Sequence, residues 1–79
     1  MKIKIQYFAQ MREERGVSSE ILTTDVKTAK ELYSHLQKEY RFKLSMDLVK
    51  VAVNDEFVKW DTKLKDNDSI VFIPPVAGG

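Results

Sequence analysis

The residues that usually carry chemistry are scarce in this chain. His35 is the only histidine, and it lies in a helical stretch between Leu32 and Leu36. A general base needs a partner within hydrogen-bond reach, and no neighbouring motif supplies one. His35 therefore reads as a partly exposed helix residue. Asp66 and Asp68 share a turn but fall short of the roughly six to eight oxygen ligands that calcium takes. They read as a solvated turn, and no metal site is expected. The run Arg12-Glu13-Glu14-Arg15 reads as a solvated face. Cysteine is absent, which excludes a disulfide staple, a thiolate metal site, an iron–sulfur cluster and a cysteine nucleophile. Neither G-x-x-x-x-G-K-[ST] nor G-x-G-x-x-G occurs, so no phosphate-cradling loop is expected.

What remains is the end of the sequence, Pro74-Pro75-Val76-Ala77-Gly78-Gly79. Two prolines favour an extended polyproline conformation, which points a tail away from the fold. Six residues at ~3.3 Å each reach roughly 20 Å. Gly78 and Gly79 have no Cβ, so they fit a channel too narrow for any side chain. Gly79 then offers a sterically bare carboxylate on a reaching arm. A pair of terminal glycines is also what a frayed end looks like. The prolines and the abrupt exit from the preceding strand favour the functional reading without deciding it.

The elements that must position such a tail are legible as periodicities. Lys2 to Phe8 alternates, with Ile3, Ile5 and Tyr7 on one parity and Lys2, Lys4, Gln6 and Phe8 on the other, which predicts a half-buried strand. Ala9 to Arg15 reads as a short helix stopped by Gly16, and Ser19 to Asp25 as a second strand. Thr28 and Glu31 form a capping box, with Glu31 expected to reach the Thr28 amide. Behind it Ala29, Leu32, Tyr33, Leu36 and Tyr40 form the apolar stripe of a helix running from Ala29 to about Tyr40. Val49 to Val53 predicts a strand, Asn54-Asp55 a turn, Phe57-Val58 a short return strand, and Ser69 to Ile73 the last strand. The expected core is Ile3, Ile5, Leu32, Leu36, Val51, Val53, Ile70 and Phe72.

Length and composition bound the function. The 79 residues make one small domain, and 43% hydrophobic residues make it globular. Thirteen basic against twelve acidic residues leave a net charge of +1, with the basic residues scattered among acids. That balance argues against an electrostatic nucleic-acid binder. The segment MKIKIQYFAQ has no signal-peptide-like apolar core, and no apolar run approaches ~18 residues. The expectation is a cytoplasmic protein with no membrane span.

One set of residues resembles a family. Phe8-Ala9-Gln10 followed by Arg12-Glu13 and Gly16, the Thr28-capped helix with Leu32, the Ala52-Val53-Asn54 strand end, Leu64-x-Asp66-x-Asp68, and Phe72-Ile73-Pro74-Pro75-Val76-Ala77-Gly78-Gly79 are similar to the MoaD family. These are the small subunits of molybdopterin synthase, within the MoaD/ThiS ubiquitin-like sulfur carriers. The similarity runs over nearly the whole chain. Asn67 departs from it, standing where the family usually has glycine; asparagine also tolerates positive φ.

The resemblance implies an α+β, ubiquitin-like β-grasp with a mixed sheet and one main helix across it. Residues 1–73 would form the domain and 74–79 the extended tail. It implies that Gly79 is adenylated and then thiocarboxylated, donating sulfur to form the molybdopterin dithiolene. Pro75, Val76, Ala77 and Gly78 would occupy the partner's channel. An E1-like adenylating enzyme of the MoeB class would use ATP, which this chain does not itself bind. A desulfurase or rhodanese-type donor would supply sulfur, and the large subunit of the MoaE class would receive the tail. Catalytic side chains would sit on the partner. Phe8, Phe57 and Ile73, each opposite in parity to Tyr7, Val58 and Phe72, would form an apolar docking face. A ThiS-like or tRNA-thiolation carrier, and a ubiquitin-like protein modifier, remain alternatives that begin with the same adenylation.

Overall fold

The computed structural model describes residues 1–75. The alternating Lys2–Tyr7 segment is β1, with Ile3, Ile5 and Tyr7 buried and the residues between them exposed. α1 (Ala9–Arg15) ends where Gly16 takes φ 87°, a left-handed conformation that glycine adopts freely. β2 is Ser19–Thr23, two residues shorter than its composition suggests. α2 is Ala29–Tyr40, capped as expected by the Thr28 hydroxyl, which accepts from the Glu31 amide at 3.2 Å. The return bond of the box differs from expectation. Glu31 accepts from the Lys27 amide at 2.8 Å, one residue before the cap. A 3₁₀ turn at Met46–Leu48 then leads into β3 (Lys50–Val53), β4 (Glu56–Val58) and β5 (Ser69–Ile73).

The strands form one mixed sheet in the order β2-β1-β5-β3-β4. β1 and β5 lie parallel at its centre, Ile5 beside Ile70 and Tyr7 beside Phe72. Every other pairing is antiparallel. Helix α2 covers one face with Ala29, Leu32, Tyr33 and Leu36 buried. This arrangement is the ubiquitin-like β-grasp. Among the described residues no helix is long and apolar enough to cross a membrane.

The core contains the expected residues, with one correction. Val53 is only half-buried, because it is the last residue of β3 before the Asn54-Asp55 turn carries the chain out of the sheet. Three residues outside the expected list add much of the volume: Tyr7, Tyr33 and Phe42 are all buried. Tyr33 meets Phe72 edge-on at 5.4 Å, and Tyr7 lies 5.7 Å from Phe42. Such contacts are worth roughly 0.5–1.5 kcal/mol beyond area burial.

The aspartate turn is a second correction. Asp68 is buried, not solvated. Its carboxylate accepts from the Asn54 side-chain amide at 2.9 Å and from the Lys65 backbone amide at 2.8 Å. Asp66 accepts from the Lys2 amide at 2.6 Å. Both carboxylates therefore tie the turn before β5 to its neighbours; Asp66 stays exposed as expected, and Asp68 is buried because it is so paired. Asn67 between them takes φ 69°, the conformation that asparagine tolerates at this position.

Leu36 is 1% exposed in the centre of the helix–sheet interface. Leu36→Ala should lower the unfolding free energy by about 2–5 kcal/mol, a large part of a small domain's stability. Urea denaturation checks it, and a loss near zero would mean that α2 packs by another face.

Candidate functional site

The sheet has an uncovered face opposite α2, and the registers fix what lies on it. Paired residues project to the same side of a sheet, so Gln6, Val71, Ala52 and Phe57 form one row across four strands. The next row places Ile73 beside Lys50. Phe8 follows β1 in the same parity as Gln6 and stands past the end of that strand, on the side where β5 also ends. Phe8 is 42% exposed and Phe57 70% exposed. Ile73 is half-buried, because its neighbours on the sheet cover part of it. The three residues singled out by parity thus share one face, while Tyr7 and Phe72 point into the core and Val58 is half-buried. Ala52 and Val71 complete the apolar stripe. The period-two pattern of Val49–Val53 and Ser69–Ile73 carried that signal as well.

Phe8 is held outward by the backbone. It keeps extended angles, φ −129° and ψ 154°, and so prolongs the alternation of β1. Its carbonyl accepts from the amides of Met11 and Arg12, opening α1. The reversal falls on Ala9, whose φ of 49° lies in the left-handed region. That conformation costs a non-glycine residue roughly 1–2 kcal/mol. Strain of this kind is kept where the surroundings over-determine it.

Buried Met11 seats α1 on the core, and a polar clamp at the far end of the helix ties it to β1 and β2. Arg15 donates to Glu20 through Nε at 2.9 Å and Nη2 at 3.0 Å, a bidentate pair. The Tyr7 hydroxyl donates to the same carboxylate at 2.6 Å. The Arg15 guanidinium also stacks 3.9 Å over the Tyr40 ring. Arg15 therefore leaves the solvated face that its charge run suggests. The Arg15 hydrogen bonds hold the Glu20 carboxyl below its usual range. Burial, with the bond to Glu20, pushes the Tyr7 hydroxyl up, and burial raises Tyr33 to about 12. These groups are structural, and they face the covered side of the sheet. His35 is exposed on α2.

β5 delivers the chain to the stripe. Pro74 is buried and Pro75 exposed, so the chain leaves the body at Pro75, beside Ile73 and at the same end of the sheet as Phe8. Val76, Ala77, Gly78 and Gly79 lie outside the described residues. Beside Phe57 an open groove of about 510 Å³ is lined by Leu48, Lys50, Val58 and Trp60 among others. Leu48 and Trp60 had no periodic signal, because both sit in irregular connections.

The ThiS family model matches residues 5–79. The chain belongs to the ThiS family. Among curated relatives, the molybdopterin synthase sulfur carrier subunit of Escherichia coli K12 is 36% identical over 80 residues, covering 98% of this chain and 99% of that protein. Among solved structures, a putative molybdopterin converting factor subunit 1 from Pyrococcus furiosus superposes with a TM-score of 0.81 at 32% identity, over 96% of this chain and 99% of the other. A complex of subunits 1 and 2 of molybdopterin-converting factor from Helicobacter pylori 26695 contains a chain that superposes at 0.70 with 29% identity, each chain covered completely. In this ThiS-family chain the Arg15–Glu20 clamp ties the end of α1, the helix that Phe8 opens, to β2.

Because Glu20 is held more acidic in the folded chain than in the unfolded one, its contribution to stability is full above the ordinary carboxylate range. It is lost as pH falls through the lowered folded value. Glu20→Gln should therefore be less stable than the parent near neutral pH, and the gap should close in acid. Chemical denaturation across a pH series checks the sign, and a gap that widens in acid would contradict the clamp.

Proposed function

We propose that this chain is the sulfur carrier subunit of a molybdopterin synthase. Its relatives carry that name over their full length. The observation that carries the reading is the meeting of an exposed apolar stripe with the exit of β5 toward Gly78-Gly79.

The chemistry follows from the bareness of the terminus. A carboxylate is a poor electrophile. Attack of the Gly79 carboxylate oxygen on the α-phosphorus of ATP, on an E1-like enzyme of the MoeB class, expels pyrophosphate and gives an acyl-adenylate. The outer sulfur of a persulfide on a desulfurase or rhodanese-type donor then attacks the carbonyl carbon, and the C–O bond to AMP breaks. A thiol cleaves the S–S bond of the resulting acyl disulfide, leaving a disulfide on the donor side and the thiocarboxylate on Gly79. That group is a soft nucleophile on a chain with no cysteine to compete for it. In the large subunit it transfers sulfur to the pyranopterin precursor of the dithiolene, and water returns Gly79 to the carboxylate.

This chain contributes no catalytic side chain. It contributes reach, a narrow terminus and a docking face. Pro75, Val76, Ala77 and Gly78 thread the channel of the large subunit, and glycine at the end admits close approach of the partner's groups. Phe8, Phe57 and Ile73 seat the body against that subunit, the aromatic anchors supplying most of the affinity.

Two variants separate the roles. A chain ending at Gly78 should keep the far-ultraviolet circular dichroism of the parent and lose dithiolene formation in a reconstituted synthase. Retained activity would contradict the assignment of Gly79. Phe8→Ala should weaken calorimetric binding to the large subunit by about 1–3 kcal/mol, with urea stability nearly unchanged. Unchanged binding, or an unfolded domain, would contradict the docking face.

A further inference from the structure

The charges on the sheet are sorted, although the composition is balanced. The outer face carries Lys2, Lys4 and Lys50 on paired positions and no carboxylate. The acidic members of the strands, Glu20 and Glu56, pair with Ile5 and Val53 and so fall on the opposite parity. Scattering in the sequence has become segregation in space, because a period of two sends alternate residues to opposite faces.

Lys50 is the lysine that matters. It pairs with Ile73, so its side chain lies beside the last apolar residue before the chain exit. It also lines the groove next to Phe57. Lys59 follows β4 directly, at the end of the sheet where β3 begins, and brings a second cation to that corner. Among the described residues the one ion pair is Arg15–Glu20, so neither lysine is ion-paired there, and the carboxylate in the groove, Asp47, lines it beside Lys50 without bonding to it. Gly79 lies six residues beyond Ile73, up to roughly 20 Å along an extended chain.

We infer that Lys50 is a specificity contact: the protein surface that receives the Phe8–Phe57–Ile73 stripe presents a carboxylate against Lys50, at the mouth of the channel that takes the tail. The inference rests on the docking reading above. An apolar recess alone fits any apolar patch, whereas a cation at a fixed point beside it rejects partners that lack the matching anion. The occupant is a protein with an apolar recess and an acidic edge. A nucleic acid is disfavoured because the chain's net charge is only +1 and the few lysines of this face fall short of the basic track that a phosphate backbone needs.

The test is binding of the full-length chain to the cognate large subunit at low and high sodium chloride, for Lys50→Met, Lys50→Glu, Lys50→Arg and Phe8→Ala, each checked for an unchanged melting temperature. At low salt Lys50→Met should weaken binding about fivefold and Lys50→Glu about twentyfold or more, with both losses shrinking at high salt. Lys50→Arg should stay within about twofold of the parent, since the charge is kept. If Phe8→Ala weakens binding while Lys50→Glu stays within about twofold, the carboxylate contact is wrong and the docking face stands. If Phe8→Ala has no effect either, the docking reading itself has failed. Tight capture of a labelled single-stranded RNA, abolished by Lys50→Glu, would assign the lysines to nucleic acid and overturn the inference.

Discussion

The parallel pairing of β1 with β5 is the constraint on which everything else depends. Parallel neighbours cannot be joined by a tight turn and need a long crossover, and here nearly the whole chain runs between them. That long connection contains α2, which closes one face of the sheet, and β3–β4, which extends its edge. Because the two central strands point the same way, they also end together. Tyr7 sits beside Phe72, and the next residues, Phe8 and Ile73, arrive at one corner of the outer face. Phe8 and Ile73, from segments 65 positions apart, are thus neighbours by topology at the exit of the chain.

The core and the outer face divide the work. The buried side of the sheet, with α2 and the aromatic group around Tyr33, Phe42 and Phe72, supplies the stability. The polar groups that are buried all serve geometry. Asp68 fixes the start of β5, and the Arg15–Glu20–Tyr7 clamp ties the end of α1 to β1 and β2. Neither network faces the stripe. The exposed side chains of the outer face, Phe8 and Phe57 among them, can therefore change with little effect on folding.

Much of this was legible in the residues. Strict alternation in β1 and β5 fixed not only the strands but the sides of Phe8 and Ile73, because parity is a local property that tertiary packing rarely overrides. The capping box located α2 to the residue. The failures share a cause. Phe42 is buried, yet it stands in an irregular connection where no period marks an inward position. Asp68 looked like a solvated turn because sequence shows composition but not the donors that converge on it. Arg15 looked solvated because its partner, Glu20, belongs to the next strand. The sorting of lysines to the outer face was readable from the β1 alternation, but the place of Lys50 beside Ile73 required the antiparallel register of β3 with β5.

The central claim is that this chain carries sulfur on the carbonyl carbon of Gly79. Its most direct test is tandem mass spectrometry of the carboxyl-terminal peptide after incubation with the adenylating enzyme, ATP and a sulfur donor. The account predicts one oxygen replaced by sulfur, located on Gly79 and dependent on ATP. An unmodified terminus, or Gly79 joined instead to the lysine of another protein with no thiocarboxylate detectable, would contradict it.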